Sequence, residues 1–273
     1  MDKANEMKFE RNGFARRLKS MLSVDFRRLF TSPLFYIIVG VAAVIPVLVL
    51  VMTTSVSGGT TVDPITGVEQ AVETEPITNT WQVIESTSGE GSGMSSDIMS
   101  MCNINLLFFA AAVLICMFVT DDFKSGYAKN IFAVRSKKTD YVISKSLVGF
   151  VGGAFMIVAY FIGAMLGGAI AGLSFDTGIA GISGIVMCLL SKVLLMAVFV
   201  PIYTLMSIVA KQKTWMSMVG SFAVGMLLFM MIPSLTPLNS TIMNVVICLI
   251  GGAIFSVGLG AISNTVLRKT SLV

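Results

Sequence analysis

Leu34–Met52 reads LFYIIVGVAAVIPVLVLVM, with no charged residue. A helix needs about 20 predominantly apolar residues to cross a hydrocarbon core, and this run supplies them. Residues 1–33, just before it, hold eight Lys/Arg: Lys3, Lys8, Arg11, Arg16, Arg17, Lys19, Arg27 and Arg28. The segment just after it, Thr53–Ile98, holds none and carries Asp63, Glu69, Glu73, Glu75, Glu85, Glu90 and Asp97. An apolar run with basic residues on one flank only reads as a membrane span whose basic flank is cytoplasmic. Its charged leader and length mark it as a retained anchor rather than a cleaved signal peptide.

The rest of the chain repeats the pattern. Only 12% of the 273 residues are charged and 55% are hydrophobic, with a mean hydropathy of +0.86. A soluble domain carries roughly 25% charged residues, so this chain cannot cover a globule with polar surface. Six apolar stretches are expected to span the membrane: Leu34–Met52, Met99–Thr120, Leu147–Leu173, Gly184–Ala210, Trp215–Ile232 and Ile242–Ile262. Eighteen of the 19 basic residues fall in residues 1–33, 121–146, the short segment with Lys211 and Lys213, and the tail 263–273. Those are alternate loops, which predicts that both termini are cytoplasmic. The fold class is an all-α integral membrane protein with six transmembrane helices in one transmembrane domain.

Residues 13–30 read as an amphipathic helix. Phe14, Leu18, Leu22, Phe26 and Phe30 recur at four-residue spacing, with Arg16, Lys19 and Arg27 largely on other faces. Such a helix lies in the membrane interface, as an elbow before the chain turns inward at Ser32-Pro33. The acidic segment 53–98 is either a small folded cap or a solvated loop. Within the third span, Gly149/Gly153 and Gly163/Gly167 have the GxxxG spacing that lets helix backbones approach closely, either within the chain or across a dimer. Pro46, Pro201 and Pro233 lie where they can kink spans. The four cysteines lack ligand spacing and read as apolar packing residues.

Several chemistries are excluded. With no histidine, there is no Ser-His-Asp triad, Cys-His dyad or HExxH metal site. No phosphate-binding GxxxxGK[ST] loop occurs. No acid lies deep in a span, as proton- or sodium-coupled carriers usually require. Lys192 is the one charge well inside a span; it either snorkels toward the external end or lines a cavity. Ser191 beside it makes a poor hydrolytic dyad, because adjacent helical residues point apart. No catalytic or metal-binding residue is expected, and no nucleic-acid partner. The chain reads as a subunit whose energy comes from elsewhere, the alternative being a membrane scaffold or sensor that binds a cytoplasmic partner without transporting anything.

The loop after the second span is the most informative segment. Asp121-Asp122-Phe123-Lys124-Ser125-Gly126-Tyr127-Ala128-Lys129-Asn130 opens with two acids suited to capping a short helix. Gly126 suits a tight bend. Phe123, Tyr127 and Ile131 make an apolar stripe on that helix.

Here the chain resembles the permease subunits of ABC-2 type exporters, of the bacitracin- and lantibiotic-transport sort. Asp122, Phe123, Gly126, Ala128, Lys129 and Asn130 match their acidic-aromatic-x-x-Gly-small-x-Lys-Asn stretch. Asp stands here where Glu is more frequent, and Tyr127 where Thr is frequent. The resemblance implies that Asp122, Phe123, Gly126, Tyr127, Lys129 and Asn130 form a coupling helix docked on a separate ATPase subunit, which holds the ATP and Mg. It implies a second permease copy or a sister permease, a bacterial plasma membrane, and export of an amphipathic peptide or antimicrobial drug-like substrate. This chain itself would need no cofactor.

Overall fold

The computed structural model describes residues 3–55, 59–62, 69–72, 77–84, 103–134, 138–178 and 181–269. Helix α1 (Lys3–Thr31) leads into α2 (Pro33–Ser55). A short antiparallel pair, β1 (Gly59–Val62) and β2 (Glu69–Val72), follows. Then come α3 (Leu107–Lys124), α4 (Tyr127–Val134), α5 (Thr139–Ala171) and α6 (Gly181–Ala210). The chain ends with α7 (Thr214–Phe229), α8 (Met231–Leu235) and α9 (Ile242–Lys269). Among the described residues the protein is all-α apart from that hairpin. Among the described residues five helices are long and apolar enough to cross a membrane, which is a multi-pass membrane architecture. The stretch expected to be the fifth span divides into α7, with 16 residues, and the short α8. At 1.5 Å per residue α7 alone covers about 24 Å, short of the ~30 Å hydrocarbon core.

Helices α3, α5 and α6 form the centre, with Phe108, Ile115, Met156, Tyr160 and Tyr203 buried between them. Helix α2 lies along α5, and α9 lies along α6. Both leave long apolar faces outward, including Ile37, Val41, Val44 and Leu48 on α2 and Ile250, Ile254 and Val257 on α9.

The glycine spacing in α5 serves contacts within the chain. A Cβ on Gly163 would collide with the Ala43 carbonyl of α2 and come within 2.9 Å of the Pro46 ring. A Cβ on Gly167 would stand 2.8 Å from Val47 Cα. Pro46 lies inside α2 and cannot donate a backbone hydrogen bond, so Gly163 and Gly167 admit α2 where its ladder is interrupted. Gly149 and Gly153 face Val200 and Met196 of α6. Pro201 is inside α6, and Pro233 falls in α8 rather than in a long span.

Helix α7 is held differently. Its buried residues are Ser217, Ser221 and Gly225, one turn apart. Ser217 Oγ lies 2.7 Å from Ser207 Oγ of α6, Ser221 Oγ lies 3.2 Å from Cys116 Sγ of α3, and Thr214 Oγ1 lies 3.0 Å from Thr120 Oγ1. Small residues and interhelical hydrogen bonds are the attractions that remain when the solvent is itself apolar. Cys116, Cys188 and Cys248 are buried free thiols, as packing residues would be; Cys102 lies outside the described residues.

Part of the acidic segment is a folded cap. Asn79 caps a 3₁₀ turn over Thr80–Val83 in a capping box with Gln82. Trp81, Val83 and Ile84 are buried, and Gly168 makes room for Thr80. Asn79 Nδ2 donates to the Asp176 carbonyl at 2.6 Å, and Tyr160 OH donates to the Val83 carbonyl at 3.2 Å. Asp63, Glu73, Glu75, Glu85, Glu90 and Asp97 lie outside the described residues, and of Glu69 only its place in β2 is described.

Gly163→Val should cost about 1–3 kcal/mol through overpacking, read as a lower melting temperature in detergent. Gly258→Val, at a position with open space around it, should melt like the parent.

Candidate functional site

The site grows from the two ends of α3 and α5 that meet beside α1. Helix α3 does not stop at Thr120; it continues to Lys124, and Asp121 and Asp122 occupy its last turn. They therefore do not cap α4, contrary to expectation. The turn is made by Ser125, whose Oγ donates to the Asp121 carbonyl at 2.7 Å, and by Gly126 at φ +75°. That φ is the left-handed region glycine enters without a Cβ penalty. Helix α5 begins at Thr139, two turns earlier than expected, and brings Asp140, Tyr141, Ser144 and Lys145 into helical register.

Four charges converge here. Lys145 Nζ lies 2.8 Å from Asp25 Oδ1 of α1 and 2.7 Å from Asp122 Oδ2 of α3, and all three side chains are fully buried. Arg28 Nη1 reaches Asp122 Oδ1 at 2.6 Å and Asp25 Oδ1 at 3.8 Å from a partly exposed position. Ser144 Oγ donates to Asp25 Oδ2 at 2.6 Å, and Tyr141 OH donates to Asp122 Oδ2 at 2.9 Å. Two acids meet two bases, so the cluster is formally neutral. Aromatic faces close it: the Phe118 centroid is 4.1 Å from Lys145 Nζ, and the Tyr127 centroid is 4.3 Å from Arg28 Cζ. Such contacts strengthen when desolvated.

Burial works against the Arg28 charge, but Asp122, Tyr127 and Asp25 outweigh it and hold the guanidinium above its ordinary pKa. Burial, then the nearby Asp25 charge, raises the Tyr127 pKa. Arg28 therefore stays charged and Tyr127 stays neutral across the physiological range. A second pair, Arg17 Nε to Asp140 Oδ2 at 3.1 Å, ties α1 to the first turn of α5.

The buried stripe of α1 is Met21, Asp25 and Leu29. Phe14, Leu18, Leu22, Phe26 and Phe30 are only half-buried, one position round the helix. Phe30 nonetheless packs edge-on against Phe35 and Phe155, with centroids 5.4 and 5.9 Å apart. Asp25 is the residue the periodicity misses. The signal was an acid sitting where the i, i+4, i+8 pattern from Met21 to Leu29 calls for an apolar side chain.

Helix α4 stands on this cluster. Phe123 and Ala128 are buried, Gly126 and Tyr127 are half-buried, and Lys124, Ser125, Lys129 and Asn130 are exposed. Phe132 packs edge-on against Tyr141 at 5.2 Å. Of the residues expected to form a docking surface, then, Lys129 and Asn130 face outward. Asp122 and Phe123 face inward and hold the helix in place. Arg135 and Lys137 lie outside the described residues.

Lys192 does not snorkel. It is buried, and its ammonium donates to Asn105 Oδ1 at 3.1 Å and to Thr236 Oγ1 at 2.9 Å. It stitches α6 to the start of α3 and the end of α8. Ser191 Oγ is buried without a hydrogen-bond partner, so Ser191 and Lys192 form no dyad. Among the described residues no group of His, Cys, Asp or Glu could hold a metal ion.

No family model, curated protein or solved structure matches this chain.

Lys145→Met would leave two buried carboxylates with only a half-exposed arginine. Breaking a buried pair in this way costs about 3–5 kcal/mol. Because the groups touch, Asp25→Asn and Lys145→Met should be non-additive by about 0.5–3 kcal/mol in a double-mutant cycle of detergent melting. Strict additivity would mean the cluster is not a unit.

Proposed function

We propose that this chain is the membrane subunit of an ABC-type exporter, driven by ATP hydrolysed in a separate subunit. The observation that carries the reading is α4. It is a short helix at the basic end of the bundle, clamped by buried charges and aromatic rings, with Lys129 and Asn130 turned outward and Lys124 exposed just before it at the end of α3. A helix fixed this firmly can transmit a push. The resemblance of Asp122–Asn130 to the coupling stretch of ABC-2 permeases supports the same reading, as does the lack of any phosphate-binding loop.

On this reading the membrane is crossed six times. The five long helices are joined by a shorter crossing through α7 and α8, which their polar stripe and the Thr236–Lys192 contact hold in the bundle. On the same reading both termini, α1 and α4 lie in the cytoplasm of a bacterial cell, an orientation that the charge pattern supports. Two permease subunits sit over two ATPases, and the cargo is an amphipathic peptide or similar antimicrobial compound moved outward.

The test is affinity purification of the tagged chain in mild detergent, followed by ATPase assay. An ATPase subunit should copurify and hydrolyse ATP, and Lys129→Glu should lose it while inserting and melting like the parent. An intact preparation that binds no ATPase sinks the exporter reading. An ATPase that binds while no peptide crosses reconstituted vesicles favours the scaffold alternative.

A further inference from the structure

A second site lies on the opposite flank of α5 from the charge cluster. Helices α5, α6 and α9 enclose a groove of about 690 Å³, within the ~300–1,000 Å³ usual for small-molecule sites. Its walls are apolar, with Leu147 and Phe150 from α5, Leu194 and Ala197 from α6, and Ala253 and Gly260 from α9. A Cβ at Gly260 would meet nothing within 4 Å, so the groove is open beside it. All three helices are among the five long enough to span a membrane. What lies against the groove is therefore hydrocarbon, and its apolar walls alone select nothing.

Selection comes from its end. The groove reaches Thr139 at the start of α5 and Asn264 near the close of α9. Asn264 Oδ1 is shielded there without a hydrogen-bond partner. Just beyond, Lys138 Nζ donates to the Leu267 carbonyl at 2.6 Å, joining the two helix ends. Arg268 and Lys269 follow on the last turn of α9, and both are exposed. Three cations thus follow directly on the helix ends that close one end of an apolar slot. No acid lines the slot; Asp140, beside Thr139, is turned to Arg17. Basic pockets between transmembrane helices at an interface bind anionic headgroups.

We propose that the groove between α5, α6 and α9 is a binding site for an anionic phospholipid, with an acyl chain along Leu147, Phe150 and Gly260 and the phosphate headgroup on Lys138, Arg268 and Lys269. The site rests on the membrane architecture alone and does not require the exporter reading.

The experiment uses the full chain in nanodiscs with a phosphatidylglycerol bearing a photoreactive diazirine in its acyl chain, and maps the labelled peptides. Labelling should fall on groove segments of α5 and α9. Unlabelled phosphatidylglycerol should compete about tenfold better than phosphatidylcholine, as expected where cations recognise the headgroup. The triple variant Lys138→Gln/Arg268→Gln/Lys269→Gln should keep its melting temperature and lose that preference. Gly260→Leu, or Ala253→Phe should the first misfold, should abolish groove labelling. Equal competition by both lipids, or labelling that persists in the filled groove, overturns the proposal. So does efficient disulfide formation between copies carrying Gly260→Cys, which would place a second copy of the chain in the slot.

Discussion

The Lys145 ammonium sits between two carboxylates that come from two other helices, and the basic end of the molecule is organised around it. Taking three charged side chains fully out of solvent is costly unless each finds a partner at once. Asp25, Asp122 and Lys145 do so only when α1, α3 and α5 are together in one register. Apolar packing tolerates slippage by a residue or two; a buried ion cluster does not. Here the charges act less as a source of net stability than as a constraint on arrangement. They make the interfacial helix part of the bundle, where an amphipathic stripe alone would leave it free to slide in the membrane surface.

Each peripheral helix is attached by a different means, and the means suit an apolar solvent. Lipid offers apolar surfaces no incentive to leave it, so contact has to be close or polar. Helix α2 comes close, because Gly163 and Gly167 present bare backbone to Ala43 and Val47. Helix α9 does likewise at Gly252, where a Cβ would stand 2.8 Å from Ala197 Cβ. Helix α7 is too short and too apolar outside to rely on either, and Ser217 and Ser221 hold it by hydrogen bonds. Lys192 fastens the remaining corner through Asn105 and Thr236. The one ion in the middle of a span is thus structural mortar at the junction of α3, α6 and α8.

Much of this was legible before the fold was known. Most helix positions followed from apolar runs, because length and hydropathy are local properties; the stretch expected as the fifth span instead divides into α7 and α8. The GxxxG pairs announced close packing, and Gly126 announced a turn. What was not legible depends on partners distant in the chain. Asp25 looked like one polar residue on an interfacial helix, because Lys145 lies 120 residues away. Asp121 and Asp122 looked like helix caps, because sequence alone does not reveal that α3 runs on past the apolar stretch. The elbow stripe came out one position off, since periodicity finds the most hydrophobic face of α1 while packing chose the face that carries the ion pair. The Ser217/Ser221/Gly225 stripe has the same spacing as the glycine pairs, but serine reads as polar in a sequence and so does not signal close packing.

The same cluster bears on how α4 could act. Gly126 joins α4 to α3 by a tight turn, Tyr127 lies over Arg28, Ala128 is fully buried, and Phe132 meets Tyr141 on α5. Every turn of this short helix is therefore fixed to a different element. A load placed on Lys129 or Asn130 cannot be absorbed by α4 alone, since moving it strains contacts to α1, α3 and α5 together. The groove between α5, α6 and α9 borders this clamped body on the other side of α5. An occupant of that groove would touch both α5, which carries Lys145, and α9, so it would bear on the helix to which the ion cluster is anchored.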